Sequence, residues 1–236
     1  MGSCRGVGLL SPTNLGDTTG IMTSNQRSVS FAGSSLQLDP SGALYWPEQH
    51  LLVVADIHLG RLDAPATADA AERSPDAAVL RRLSRLVRDC AAERLLILGD
   101  LVHGASAVTP DLIRLVAEWR KTVAATVVLV RGNYDHLSAP VLNRWDVEPA
   151  GDVVTVGAVR FRHKPGGRRG EPEICGHLHP CVRLPATPEA PALPCFVMET
   201  NLLLMPSFGS HQDGYEILEK DDRTFFVLCD GEVRTI

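Results

Sequence analysis

Three apolar runs frame this chain: Leu51-Leu52-Val53-Val54-Ala55, Leu95-Leu96-Ile97-Leu98 and Thr126-Val127-Val128-Leu129-Val130. None shows the polar alternation of a half-exposed strand. Continuous runs of this length read as strands buried on both faces, as in a parallel sheet. Two helical repeats separate them. After Ser74-Pro75-Asp76, the residues Val79, Leu80, Leu83, Val87 and Cys90 recur at three- and four-residue spacing, while Arg81, Arg82, Arg85 and Arg88 turn the other way and read as a solvated face. Thr109-Pro110-Asp111 opens a second helix, with proline at its favoured first position and Leu112, Leu115, Val116 and Trp119 along one side. Strand, helix, strand, helix, strand predicts a parallel core.

The flanks read differently. From Ser28, Val29, Phe31, Leu36 and Leu38 alternate, and a Pro40-Ser41-Gly42 turn leads to Ala43-Leu44-Tyr45-Trp46, as expected of short antiparallel strands. After Asn133 only brief strand signals occur, at 153–156, 159–161, 196–198, 202–205 and 225–228, so the second half is expected to be mainly β. Residues 1–27 lack periodicity and are expected to form a disordered tail before a single domain over 28–236. Residues 61–75 read as a surface loop.

Composition narrows the class. With 44% hydrophobic residues in 236, the chain can bury a substantial core, and no apolar run reaches the roughly 18 residues of a membrane span. The net charge of -5 argues against broad nucleic-acid binding through a basic surface and leaves a local basic groove open. Six scattered cysteines without a C-x-x-C pair read as free thiols of a reducing compartment, and with no signal peptide a soluble, cytoplasmic protein is expected.

The chemistry gathers where strand patterns stop. Asp56-x-His58, Gly99-Asp100-x-x-His103, Gly132-Asn133-x-Asp135, His163 and Gly176-His177-x-His179 follow in this order. Each alone reads as a turn. Together they offer seven nitrogen and oxygen donors (Asp56, His58, Asp100, Asn133, His163, His177, His179) and no thiolate, an inventory that suits two divalent cations, Mn, Fe or Zn. Alternation along extended chain is expected to turn residues 56 and 58, and likewise 177 and 179, toward one cavity. Two cations about 3.5 to 4 Å apart need a carboxylate that reaches both, and Asp100 at the central strand end is the natural bridge. Two aspartates against two dications leave positive charge that attracts phosphate.

At these residues the chain resembles the calcineurin-like metallophosphoesterases, and smaller matches, among them Trp46-Pro47-Glu48, Phe161-Arg162-His163-Lys164-Pro165 and Met205-Pro206-Ser207-Phe208-Gly209, resemble the DNA-ligase-associated branch. The resemblance implies an α/β fold, a four-layered sandwich of two mainly β sheets flanked by helices. It implies Asp56, His58, Asp100 and His179 on one metal and Asp100, Asn133, His163 and His177 on the other, with manganese as the preferred ion. It also implies an endonuclease or phosphodiesterase acting on DNA in repair, by in-line attack of a metal-bridging hydroxide on phosphorus, in association with a DNA ligase and a helicase. A small-nucleotide phosphatase or phosphodiesterase shares every ligand, and a non-catalytic metal-binding module is a third reading.

The chain departs from the family at Tyr134, where most members carry a histidine thought to serve the leaving group; the partner Asp135 is kept. A phenol, with a reference pKa of about 10 against roughly 6.5 for imidazole, is the poorer acid near neutral pH. His103 and His136 are candidate substitutes. Lys164, Arg168 and Arg169 read either as a solvated turn or as a clamp on flanking phosphates, and Arg61 is similar.

Overall fold

The computed structural model describes residues 25–61, 74–166, 170–184, 189–209 and 214–236. Seven strands form the first sheet in chain order: β1 (Arg27–Phe31), β2 (Ser34–Leu38), β3 (Leu44–Trp46), β4 (Leu51–Val54), β5 (Arg94–Leu98), β6 (Thr126–Val130) and β7 (Val147–Pro149). Pairing is antiparallel from β1 to β4 and parallel from β4 to β7. The parallel register sets Val54 opposite Ile97 and Leu98 opposite Val130. Asp56, Asp100 and Asn133 therefore leave the sheet at one rim.

The second sheet comprises β8 (Val153–Val156), β9 (Val159–Arg162), β10 (Glu173–Cys175), β11 (Pro180–Val182), β12 (Leu193–Met198), β13 (Leu202–Leu204) and β14 (Tyr215–Glu216), with β15 (Thr224–Cys229) and β16 (Glu232–Thr235) joined through β12. Within it β9, β10 and β13 run parallel. Their carboxyl ends, which carry His163, His177 and the segment after Leu204, point to the same rim as those of the first sheet.

Side-chain parity explains the unbroken apolar runs. Leu52, Val54, Leu95, Ile97, Val127 and Leu129 face the helices, against Leu80, Leu83, Leu112, Val116 and Trp119. Their neighbours Leu51, Val53, Leu96, Leu98 and Val130 face the second sheet, against Phe161, Ile174, Phe196, Leu203 and Phe226. Each fully buried leucine or valine is favoured by roughly 1.5 to 3 kcal/mol, so a polar residue on either face would carry a large penalty. The helices α1 (Pro75–Asp89), α2 (Pro110–Arg120) and α3 (Ala139–Trp145) all pack on the outer face of the first sheet. The two long ones start where the sequence predicts. Ser74 Oγ accepts from the Ala77 amide and Thr109 Oγ1 from the Leu112 amide, each at 3.2 Å, with proline next in both.

Two expectations are corrected. The arginine row of α1 is not wholly solvated: Arg81, Arg85 and Arg88 are exposed, but Arg82 turns inward, lays its guanidinium 4.1 Å from the centre of the Phe208 ring and donates to the Phe208 carbonyl. An arginine stem can cover apolar surface while its head finds an internal acceptor. The short helix α3, absent from the sequence reading, is anchored by one wholly buried residue, Trp145, whose indole donates to the Ile113 carbonyl at 3.0 Å. Seven residues are too few to show a period. The five described cysteines are free, four of them buried, and no described helix is long and apolar enough to cross a membrane. The expected tail lies almost entirely, and the expected loop mostly, outside the described residues.

Candidate metal centre

Beyond Val54 and Leu98 the two central strands continue as paired loops. The Asp56 amide donates to the Gly99 carbonyl (3.2 Å), His58 to Asp100 (2.8 Å) and Leu59 to Leu101 (2.9 Å). This pairing is made with left-handed backbone at Asp56 (φ 53°), His58 (52°) and Asp100 (51°), and the same conformation returns at His177 (72°) and His179 (45°). The expectation of strand alternation at 56/58 and 177/179 is therefore corrected: these pairs lie past the strand ends and are aimed by positive φ. Aspartate and histidine are among the non-glycine residues that enter this region most readily, yet each such residue stores about 1 to 3 kcal/mol of strain. Strain gathered at one rim is typical of a functional site.

The second sheet closes over these loops. The His177 amide donates to Asp56 Oδ2 (2.8 Å), and His163 Nδ1 donates to the Leu98 carbonyl (2.9 Å). That bond leaves His163 Nε2 facing inward, 2.8 Å from Asn133 Oδ1 and 3.4 Å from Asp100 Oδ2. At Gly132 a Cβ would collide with the Asp100 backbone nitrogen and Oδ1, so only glycine lets the β6 loop come this close.

The donors fall into two groups, Asp56, His58 and His179 in one and Asp100, His163 and His177 in the other. Within the first, His179 Nε2 lies 3.5 Å from Asp56 Oδ1 and 3.3 Å from His58 Nε2. Asp100 faces both groups, with Oδ2 3.9 Å from His58 Nε2. The donor set fits cations by its own chemistry. Asp56 is wholly buried and its Oδ1 has no hydrogen-bond partner, although unpartnered buried carboxylate oxygens are costly. His177 Nδ1 sits 3.1 Å from His163 Nε2, so two ring nitrogens crowd together beside two carboxylates. A cation at each group satisfies these lone pairs at once.

Burial holds His58 down at about 4; Asp56 pulls the other way, while His179, His103 and Arg61 add to the lowering. Its imidazole is thus neutral at physiological pH, as a ligand must be. Burial pushes Asp100 up to about 6, opposed by the Tyr134 amide and His163. The Tyr134 amide donates to Asp100 Oδ1 at 2.8 Å.

The remaining expected residues part company. His103 and Tyr134 stack with ring centroids 5.4 Å apart beside His58, and His103 Nδ1 is 3.4 Å from His58 Nδ1. Asp135, expected in a catalytic pair with residue 134, instead accepts from the backbone amides of Asp100, Leu101, Val102 and Gly132 at 2.8 to 3.4 Å. It holds the Asp100 loop in place: those amides have no strand partner at the turn and need an acceptor. His136 is exposed. Arg61 closes the first loop near enough to act on His58 electrostatically, Lys164 is exposed beside His163, and Arg168 and Arg169 lie outside the described residues.

Five supporting residues, Ser207, Phe208, Gly209, Arg82 and Asp76, escape sequence reasoning. Ser207 Oγ donates to the Asp56 carbonyl (2.7 Å), the Phe208 amide to Ala55 (2.8 Å) and the Gly209 amide to Asp56 (3.3 Å), so the chain after β13 braces the strained Asp56 turn. Arg82 fixes that brace from α1. Asp76, in the first turn of α1, accepts the Gly60 amide with both oxygens at 3.1 Å. The tract Met205-Pro206-Ser207-Phe208-Gly209 is a visible sequence signal for the brace; Arg82 has none.

Comparison with known proteins agrees with this geometry. The family model for calcineurin-like phosphoesterase matches residues 50–181. Among solved structures, the crystal structure of the Pseudomonas putida nuclease MPE superposes with a TM-score of 0.78 at 30% identity, over 90% of this chain and 100% of that one. Yfce, a phosphoesterase from E. coli, aligns at 19% identity and TM-score 0.43 over 79% of this chain and 97% of that one. A novel archaeal phosphodiesterase aligns at 15% and 0.41 over 79% and 98%. No curated protein sequence matches the chain significantly.

Proposed function

This chain belongs to the calcineurin-like phosphoesterase family and is a metal-dependent phosphoesterase, and from that premise we propose that it is a phosphodiesterase that cuts DNA internally. The reading rests above all on Asp100, whose Oδ2 lies 3.9 Å from His58 Nε2 and 3.4 Å from His163 Nε2, between the two donor groups. The likeness to a Pseudomonas nuclease over nearly the whole chain supports the polymeric substrate. Asp56, His58, Asp100 and His179 would hold one cation, and Asp100, Asn133, His163 and His177 would hold the other. Bound there, two cations would supply a nucleophile at neutral pH and neutralise charge that builds on the phosphoryl oxygens.

The chain's own part is positioning and proton transfer. The buried carboxyl groups of Asp56 and Asp100 are aimed at one space, and the tautomer of His163 is set by the Leu98 carbonyl. Attack is in line with the departing oxygen, which takes its proton from His103, with Tyr134 stacked against that ring on the His58 side. We further propose manganese as the cation, residues 28–236 as the catalytic domain after an N-terminal tail, and a cytoplasmic role in DNA repair beside a ligase and a helicase, as the family resemblance implies.

The test is the full chain, stripped of metal and reconstituted with Mn²⁺ or Zn²⁺, on circular single-stranded DNA, plasmid duplex, bis(p-nitrophenyl) phosphate and p-nitrophenyl phosphate. Cleavage of the circle and of the small diester, lost to a chelator, is expected. Hydrolysis of mononucleotides or monoesters with intact circular DNA would overturn the endonuclease reading in favour of a small-nucleotide phosphatase.

A further inference from the structure

Beside the Asn133 and His163 half of the centre, and lined by neither His103 nor Tyr134, a cleft of ≈ 250 Å³ opens, bounded by Asn133, His163, Arg131, Arg162, Lys164 and Asp152. Two of its walls are members of the donor set, and three cationic side chains face one carboxylate across the rest. That carboxylate leaves the cleft positive: Asp152 meets Arg131 only at 3.8 Å, with both side chains largely in solvent, where such a pair is weak and readily exchanged. Arg162, at the end of β9 and one residue before His163, has its Nε buried with no hydrogen-bond partner.

Size limits the occupant. Pockets that enclose a whole small ligand run from roughly 300 to 1,000 Å³, so this cleft suits one group of a longer molecule. Position limits it further. The scissile phosphate belongs over Asp100, between both donor groups, whereas the cleft touches only the Asn133 and His163 side. A forked guanidinium pairs with phosphate oxygens through two parallel hydrogen bonds, and Lys164 adds a point charge. We propose that Arg131, Arg162 and Lys164 form a subsite for the phosphate adjoining the scissile one, which makes a polynucleotide a better substrate than an isolated diester. The proposal rests on the phosphodiesterase reading above and names the part of the chain that selects the polymer.

The manganese-loaded full chain hydrolysing bis(p-nitrophenyl) phosphate provides the test, with a single-stranded 12-nucleotide DNA as competitive inhibitor, its Ki followed against KCl. Cleavage of the same labelled DNA is scored separately. In Arg131→Gln/Arg162→Gln, the slope of log Ki against log salt should flatten by about 1.4, from about 0.7 per lost contact to a single strand. The ratio of kcat/KM on DNA to that on the small diester should fall by about tenfold or more. Arg131→Gln alone, at an exposed guanidinium, should flatten the slope by about 0.7 and keeps the test available if the double variant fails to fold. An unchanged slope and ratio, with wild type cutting DNA normally, would overturn the subsite and leave the endonuclease reading intact. A flattened slope with no DNA cleavage by wild type would uphold the phosphate site and overturn that reading instead.

Discussion

The two halves of the metal centre are built on different terms. Asp56 is wholly buried, its turn strained at φ 53° and tied by Ser207, Gly209 and the His177 amide, with Arg82 bracing from outside. Asn133, in the other half, is exposed on the loop after β6 and opens onto the cationic cleft. Asp100 joins them. The difference separates two tasks that one surface cannot perform equally: a cation site must exist before substrate arrives, so it is cut into the core, while a polymer can be met only by groups that reach solvent.

The largest effect is expected at the joint. Asp100→Asn should lower turnover by about 10²- to 10³-fold and weaken both cations, since neutralising a shared carboxylate removes charge from each. The metal-free variant, however, should be more stable than wild type at pH 7, on the order of 2 kcal/mol, because burial raises Asp100 to about 6 and the folded state must carry an unfavourable anion. A fall in Tm of the metal-free variant at pH 7, or near-normal activity with two metals bound, would contradict the bridge.

The braced and open halves should then respond separately. Arg82→Met is expected to weaken one cation by about 10- to 100-fold with the second site little changed, as for a lost outer partner, and Asn133→Ala should do the reverse. Calorimetric titration of Mn²⁺ resolves the two steps; equal weakening of both steps by either variant would erase the distinction.

Acid offers a third probe. A raised Asp100 contributes stability that is full below its unfolded value of 3.8 and is lost as pH rises through about 6. A lowered His58 contributes stability present above 6.5 and lost as pH falls toward about 4. In metal-free wild type these oppose one another between pH 4 and 6.5. Asp100→Asn should therefore make stability fall more steeply on acidification, and His58→Gln should leave it rising. Denaturant midpoints at pH 4.5 and 7 check both signs.

The smallest effect is expected at Tyr134, on the rim. Tyr134→Phe should change hydrolysis of an activated diester by less than about threefold, since a good leaving group needs little proton transfer, while Tyr134→His should raise monoesterase activity toward the roughly 10²-fold that general acid catalysis supplies. A large loss in the phenylalanine variant with both metals retained would make the phenol a direct participant.

Much of this was legible in the chain itself. The apolar runs at 51–55, 95–98 and 126–130 require burial on both faces, and local caps at Ser74 and Thr109 start the helices, because such preferences act over a few residues and need no distant partner. Four donors, Asp56, His58, Asp100 and Asn133, were visible as residue types following those runs, and His163, His177 and His179 as residue types later in the chain. What the chain order left undecided was their aim. Asp56 and His58 converge through left-handed backbone held by the Asp100 loop, not through strand alternation, and that loop is held in turn by the Asp135 carboxylate. Arg82 looked solvated because helical spacing states which residues share a face, and only the packing of β13's following segment against α1 supplied the Phe208 ring and carbonyl that turn it inward. The cationic cleft joins residues 131, 152 and 162, which become neighbours only when the ends of two sheets meet. Local propensity thus determined the strands, the helices and the donor types, while the convergence of charges and the strain that aims them came from contacts across the two sheets, whose geometry no local pattern encodes.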